Sequence, residues 1–325
     1  MADSENSNLL VVSDLTKYFS LNRGIFSKSE RLVRAVEGVS FTVRKGESFG
    51  IVGESGCGKS TLGRMVIRLI NPTRGRIEFD GIDIARLSLA EMRPMRRRMQ
   101  IIFQDPYASL SPRMKVKEIV SEPLRACQGL SKVRRWKLAA GMLEKVGLSS
   151  DDLEKYPHEF SGGQRQRIGI ARSLCIRPEL IVADEPVSAL DVSVQAQVIN
   201  LMADLREEFN LSYIFISHDL SVVEYMCDRI AVMYLGMIVE LAPVEVFSLM
   251  KQRHPYTEAL MAAVPQPDPR SSIRLPMMEG DIPNPSDPPP GCMFHPRCQY
   301  ASERCRIERP SLGEVMPEHF VACWK

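Results

Sequence analysis

Ser48-Phe49-Gly50-Ile51-Val52-Gly53-Glu54-Ser55-Gly56-Cys57-Gly58-Lys59-Ser60-Thr61 is the stretch that decides the fold. A short strand-like run leads into Gly53-x4-Gly58-Lys59-Ser60, and a helical pattern follows through Leu62, Val66 and Leu69. That order of strand, loop and helix is the context a P-loop requires. The glycines let backbone N–H groups turn inward around phosphates, above the positive end of a helix. Gly53, Glu54, Ser55, Gly56, Cys57 and Gly58 would form the cradle, with Lys59, Ser60 and Thr61 at its helical end. Lys59 would reach the β- and γ-phosphates and the Ser60 hydroxyl would hold Mg2+. A bare glycine turn ahead of a helix explains neither the lysine nor the hydroxyl.

Outward from this loop, three more segments follow in order: Phe160-Ser161-Gly162-Gly163-Gln164-Arg165-Gln166, Leu180-Ile181-Val182-Ala183-Asp184-Glu185-Pro186 and Ser217-His218-Asp219. Leu180 to Ala183 reads as a buried parallel strand. It delivers Asp184 to the C-terminal edge of the sheet, where open α/β sheets bind ligands. One carboxylate there positions Mg2+, and the next, Glu185, polarises the attacking water. Phosphoryl transfer needs this division, because positioning and charge neutralisation supply most of the rate. Ser161-Gly162-Gly163 opens a helix over residues 164–175, so its amides and hydroxyl can meet an anion; a plain N-cap is the other reading of Ser161.

Phe160-Ser161-Gly162-Gly163-Gln164 resembles the signature motif of ABC-type ATPases. The resemblance implies an α/β P-loop NTPase of the ABC cassette type, a mixed sheet core plus a helical subdomain. In that family two subunits sandwich two ATP molecules, each held by one P-loop and the other subunit's signature residues Ser161, Gly162, Gly163 and Gln164. Gln104, after the strand-like Met99 to Phe103, resembles the Q-loop glutamine that senses Mg2+ and the transporter contact. Ser188-Ala189-Leu190-Asp191 resembles the loop that crosses the dimer interface, ending on Asp191. His218, after the strand Tyr213 to Ser217, resembles the switch histidine on the γ-phosphate. Phe19, with Tyr18 as the alternative, would stack on adenine. The catalytic set is thus Glu185, His218, Gln104 and Lys59, with Ser60, Gln104 and Asp184 around Mg2+.

The 325 residues have room for one large or two modest domains. Basic and acidic residues number 42 and 40, so the charge balance alone names no acidic partner. No apolar run approaches the roughly 18 residues needed to cross a bilayer, and the polar start Met1 to Asn6 does not read as a signal peptide. The expectation is a peripheral protein on the cytoplasmic face of the inner (plasma) membrane, reaching the bilayer through a partner. Residues 9–253 alternate strands and helices. The helix after Asp191 shows the pattern in Val194, Val198, Leu201 and Leu205. Strand signals vanish over about 105–160, which resembles the helical subdomain. Arg93, Arg96, Arg97 and Arg98 read as a solvated helix face, and residues 23–34 as a basic hairpin or loop.

Residues 254–325 differ. Eleven of the 22 prolines lie between Pro255 and Pro296, so the segment is irregular there. Cys292, Cys298, Cys305 and Cys323 follow with spacing Cys-x5-Cys-x6-Cys-x17-Cys, which lacks the paired knuckles common in zinc sites. Four thiolates suit tetrahedral zinc or an iron–sulfur cluster; four free thiols are the alternative. Cys57, Cys127, Cys175 and Cys227 read as packing residues. His254-Pro255-Tyr256-Thr257, the prolines and Gly291-Cys292-x-Phe294-His295-Pro296-Arg297-Cys298 resemble the C-terminal extension of oligopeptide/dipeptide importers, some of which carry a [4Fe–4S] cluster there. Arg31 to Val36 is closer to the second ATPase subunit of such systems.

These resemblances imply a transport-coupled ATPase, using ATP and Mg2+, that drives uptake of peptides or related small solutes. Its partners would be a second ABC ATPase subunit (a paralogue or a copy of itself), two membrane permease subunits and, indirectly, an extracytoplasmic solute-binding protein, with no nucleic acid. Asp105-Pro106-Tyr107 would be the surface that meets the permease. The competing reading is a soluble ABC ATPase acting on nucleic acid or the ribosome. Such chains carry tandem cassettes or long coiled coils, and neither occurs here.

Overall fold

The computed structural model describes residues 8–21, 31–126, 129–249, 253–263 and 280–325. The expected basic segment at 23–34 lies outside these up to residue 30, as do Cys127 and four of the clustered prolines, at 265, 267, 269 and 276. Two compact units divide the chain, one of residues 1–44, 48–86 and 217–325, the other of 45–47 and 87–216.

The first unit contains an antiparallel sheet in the order Arg31–Arg44, Asn8–Leu21, Arg74–Phe79, Ile82–Asp83. Leu10, Val12, Val36, Val43, Ile77 and Phe79 turn inward and are buried, the period-two burial of a one-sided sheet. Residues 31–34, expected in a hairpin or loop, are strand. A second set of strands surrounds Ser48–Val52, which is buried throughout and runs parallel to Arg229–Tyr234, Ile51 opposite Ala231. Phe41 stacks on Phe49 at 4.9 Å. Met237–Pro243 pairs antiparallel with Arg229–Tyr234, and His319–Val321 pairs with it in turn. A short hairpin to Gly313–Met316 completes the edge.

The helix after the loop runs over Lys59–Val66 and stops short of Leu69. Arg68 turns left-handed at φ 57°, and the Leu69 N–H bonds back to the Arg64 carbonyl at 2.8 Å. That closure ends a helix and leaves Leu69 exposed.

The second unit holds the parallel strands Met99–Ile102, Leu180–Asp184 and Ser212–Ser217, with Leu180–Asp184 in the middle. Its described residues between 103 and 179 contain helices and no strand. Lys132–Lys145 buries Ala139, Met142 and Leu143, and Gly162–Leu174 buries Ile168, Ile170, Ala171 and Leu174. Arg93, Arg96 and Arg97 are exposed on the helix Leu89–Arg98. Arg98 departs from the solvated face expected of it, because its guanidinium is paired with Glu179, Nη2 to Oε2 at 2.8 Å.

Candidate active site

In the first unit, the loop after Val52 curls over the N-terminus of Lys59–Val66. Gly58 caps that helix at φ 108°, and a Cβ there would stand 2.2 Å from the Ala35 carbonyl oxygen. Only glycine fits, so the chain can pass directly from loop to helix with its amides facing one way. Lys59 is buried, and its Nζ donates to the carbonyls of Gly53 at 2.7 Å and Glu54 at 2.9 Å. The ammonium therefore spans the loop's inner side. Cys57 is buried, and burial raises its thiol pKa despite the opposing charge of Lys59. A thiol held protonated is a poor nucleophile, as its reading as a packing residue requires.

Two residues that the loop sequence does not announce also touch it. The Tyr256 hydroxyl accepts the Glu54 N–H at 2.7 Å, and Arg297 grips the Glu54 carboxylate. His218 is exposed between the strand Ser212–Ser217 and the helix Leu220–Met226. Its turn is fixed by Asp219, whose N–H donates to Ser217 Oγ at 3.0 Å and whose Oδ1 accepts the Ser221 N–H at 2.9 Å. Phe19 is 38% exposed, with Lys17 Nζ 5.0 Å from its ring centroid. The Tyr18 hydroxyl is committed to Glu37, at 2.7 and 2.8 Å from its two oxygens.

In the second unit, Asp184 is buried at the end of its strand. Glu185 turns left-handed at φ 47°, its N–H held by the Ile216 carbonyl at 3.0 Å. Gln104 Nε2 donates to Glu185 Oε2 at 2.8 Å. The glutamine expected in the Q-loop and the expected base are thus direct partners, and the amide fixes which way the carboxylate points. Asp105 caps the turn Pro106–Ser109 through the N–H groups of Tyr107 and Ala108. Tyr107 is exposed and carries the Arg165 guanidinium 4.1 Å from its ring centroid.

Ser161 caps Gly162–Leu174 in a reciprocal box: its Oγ accepts the Gln164 N–H at 3.4 Å, and Gln164 Oε1 accepts the Ser161 N–H at 3.0 Å. Leu190 packs beside Gly162, and Gln195 Nε2 holds the Leu190 carbonyl at 3.0 Å. Asp191, at the start of Val192–Phe209, is exposed. A groove of about 1070 Å3 in this unit is lined by Arg93, Arg96, Arg97, Phe103, Pro123 and Arg172.

Cys292, Cys298, Cys305 and Cys323 all line one cavity of about 200 Å3, with His254, Tyr300 and Trp324. Burial pushes the Cys292 thiol up to about 11, and the three other sulfurs add to the shift. Among the described residues, however, no three His, Cys, Asp or Glu side chains gather closely enough to hold a metal ion. The thiols share a cavity without converging on one ion, so the expected zinc ion or iron–sulfur cluster has no metal site behind it among the described residues, only that common cavity.

Residues 36–188 match the ABC transporter family, and residues 239–305 match the C-terminal region of oligopeptide/dipeptide transporters. The chain is 54% identical to the "Probable peptide ABC transporter ATP-binding protein y4tS" of Sinorhizobium fredii over 97% of its own length and 89% of that protein's. It is 50% identical to the oligopeptide transport ATP-binding protein AppF of Bacillus subtilis, over 99% of both chains. Among solved structures, it resembles the post-hydrolysis dimer of the ATP-binding cassette MJ0796 bound to ADP and Pi, with TM-score 0.65 and 28% identity over 72% of this chain and 98% of that one. The cbiO1 subunit of the Clostridium perfringens cbiONQ transporter is similar, with TM-score 0.63 and 28% identity over 75% and 92%.

Proposed function

The chain belongs to the family of peptide ABC transporter ATP-binding proteins, and from that membership we propose that it powers uptake of peptides or related small solutes through a membrane permease. It is an ABC ATPase, and ATP with Mg2+ suits its family. The observation that carries the reading within the chain is the 2.8 Å hydrogen bond from Gln104 to Glu185. A glutamine that reports on the permease and a carboxylate that polarises water can then change position together.

The residue roles proposed are these. The cradle Gly53–Thr61 holds the triphosphate through its backbone amides and the Lys59 ammonium, and Phe19 stacks on the base. Ser60 and Asp184, with Gln104 nearby in function, hold Mg2+, which when bound neutralises charge on the β- and γ-phosphates. Glu185 orients and deprotonates the attacking water, and His218 contacts the γ-phosphate. Ser161, Gly162, Gly163, Gln164 and Asp191 face the nucleotide or interface of a second cassette. The arginine-lined groove beside Phe103, one residue ahead of Gln104, supports a permease contact that includes Asp105-Pro106-Tyr107. No helix among the described residues is long and apolar enough to cross a membrane, which fits peripheral attachment at the cytoplasmic face through those permease subunits. The proposed division is 9–253 for the cassette and 254–325 for the importer-type extension.

A cluster or zinc ion at the four thiols is a finer reading. Their shared cavity supports it, and a cluster, whose cysteines stand apart around a cube, suits unconverged sulfurs better than a single ion does. One experiment addresses both readings: an affinity pull-down from detergent extract, with iron content and visible absorption recorded on the same sample. Two permease subunits in the eluate are expected; nucleic acid or ribosomal protein in their place would overturn the transport reading. Absence of iron and colour from a freshly isolated, anaerobic sample would remove the cluster.

A further inference from the structure

We propose that Arg297, carried by the C-terminal segment, is a positioning residue of the phosphate cradle that neutralises Glu54 and holds its side chain out of the path of the triphosphate. The inference rests on the reading of Gly53–Thr61 as an ATP site. Glu54 is an awkward residue there. A carboxylate one position after Gly53 adds negative charge to a loop that must receive a polyanion.

The structure shows how that charge is handled. Arg297 Nη1 donates to Glu54 Oε2 at 2.8 Å and Nη2 to Oε1 at 3.0 Å, a fork-to-fork pair. The Arg297 side chain is 6% exposed and that of Glu54 20%, so salt screens the pair weakly. The backbone of Glu54 is also tied down. Its N–H goes to Tyr256 Oη at 2.7 Å, and its carbonyl accepts Lys59 Nζ at 2.9 Å and the Cys57 N–H at 3.3 Å. Two of these partners, Tyr256 and Arg297, come from beyond residue 253.

Arg297 is itself preorganised. It ends the turn His295–Arg297, directly after Phe294. Phe294 meets Tyr234 edge-on at 5.3 Å and Tyr256 at 5.5 Å, while Tyr234 and Tyr256 lie 4.7 Å apart. The guanidinium sits 6.0 Å from the Tyr234 ring centroid. This aromatic cluster fixes both the tyrosine and the arginine that grip Glu54, so little side-chain entropy remains to be lost on forming the pair.

Charge compensation and mere folding of the C-terminal segment make opposite predictions for a double variant. The measurement is calorimetric ATP binding, with Mg2+, to the full chain, alongside a thermal melt. Arg297→Gln leaves Glu54 uncompensated beside the phosphates and should weaken ATP binding by about fivefold to tenfold, the scale of one charge contact screened nearly as strongly as in water. Arg297→Lys keeps the charge but not the fork and should bind between the wild type and Arg297→Gln. Glu54→Gln combined with Arg297→Gln removes both charges and should restore binding to near the wild-type value. Unchanged binding in Arg297→Gln would overturn the inference while leaving the ATP site intact. A double variant as weak as Arg297→Gln, or one that does not fold, would equally overturn it, since the loss would then be structural. A wild-type chain that binds no ATP would overturn the site reading itself, and this inference with it.

Discussion

His254 ties the C-terminal segment to the sheet by one bond and caps the helix that follows it by another. Its N–H donates to Glu240 Oε2 at 2.8 Å, and its Nδ1 accepts the Tyr256 N–H at 3.1 Å, capping the helix Pro255–Ala262. An accepting Nδ1 has no room for a proton, and burial lowers the imidazole pKa to about 3. The unfolded chain would protonate this residue near pH 6.5. Between pH 6.5 and about 3 the unfolded state therefore binds a proton that the folded state excludes. Stability is full above that window and falls with pH through it, by up to about 1.4 kcal/mol per pH unit. His254→Asn keeps a capping oxygen and removes the titration. Melting temperatures at pH 7 and pH 5 should differ less in the variant than in the wild type; an equal difference would assign the acid sensitivity elsewhere. Glu240, whose carboxyl burial raises, is unchanged in both proteins and cancels from the comparison. Lys59, Asp184 and Glu185 stand out in the sequence as candidates, because phosphate chemistry fixes their types at short spacings. Tyr256 and Arg297 were not readable as cradle residues: they reach Glu54 from 202 and 243 positions away, and no local pattern encodes such an approach.

The helix Gly162–Leu174 joins the signature residues to the rest of the second unit. Its capping box makes Ser161 a structural residue as well as a proposed phosphate contact. The two roles separate in magnitude. Loss of the cap in Ser161→Ala should cost about 1 kcal/mol, a few degrees of melting temperature. Loss of a phosphate contact should cut turnover about a hundredfold, the scale of one removed transition-state donor. A variant that melts a few degrees lower yet hydrolyses ATP at the normal rate would leave Ser161 only its structural role. Gly163 lets the helix pack tightly on Val192–Phe209, since a Cβ would fall 2.3 Å from Val194 Cγ1. Gly163→Ala should therefore destabilise the protein by roughly 1–3 kcal/mol, as overpacking does; an unchanged denaturation midpoint would contradict that packing. Periodicity announced these helices, but their ends needed the structure. Lys59–Val66 stops at a left-handed arginine, a conformation that a non-glycine sequence rarely signals.

Across the whole molecule, the P-loop, the buried parallel strands and the strand-free stretch before the signature were readable because each imposes a composition. The last strands, Gly313–Met316 and His319–Val321, were hidden. They are four and three residues long, too short for alternation to register, and they follow a proline-rich stretch that argues for irregular chain. The four cysteines illustrate the opposite limit. Their spacing invites a metal, yet thiols can line one cavity without converging on an ion. Glu185 is the residue proposed as the base for ATP hydrolysis by this chain. The most direct test is phosphate release from Mg-ATP by the chain in complex with its permease subunits, wild type against Glu185→Gln. The variant should bind ATP as tightly as wild type while releasing phosphate about a hundredfold to ten-thousandfold more slowly. Phosphate release by Glu185→Gln at the wild-type rate would contradict that role.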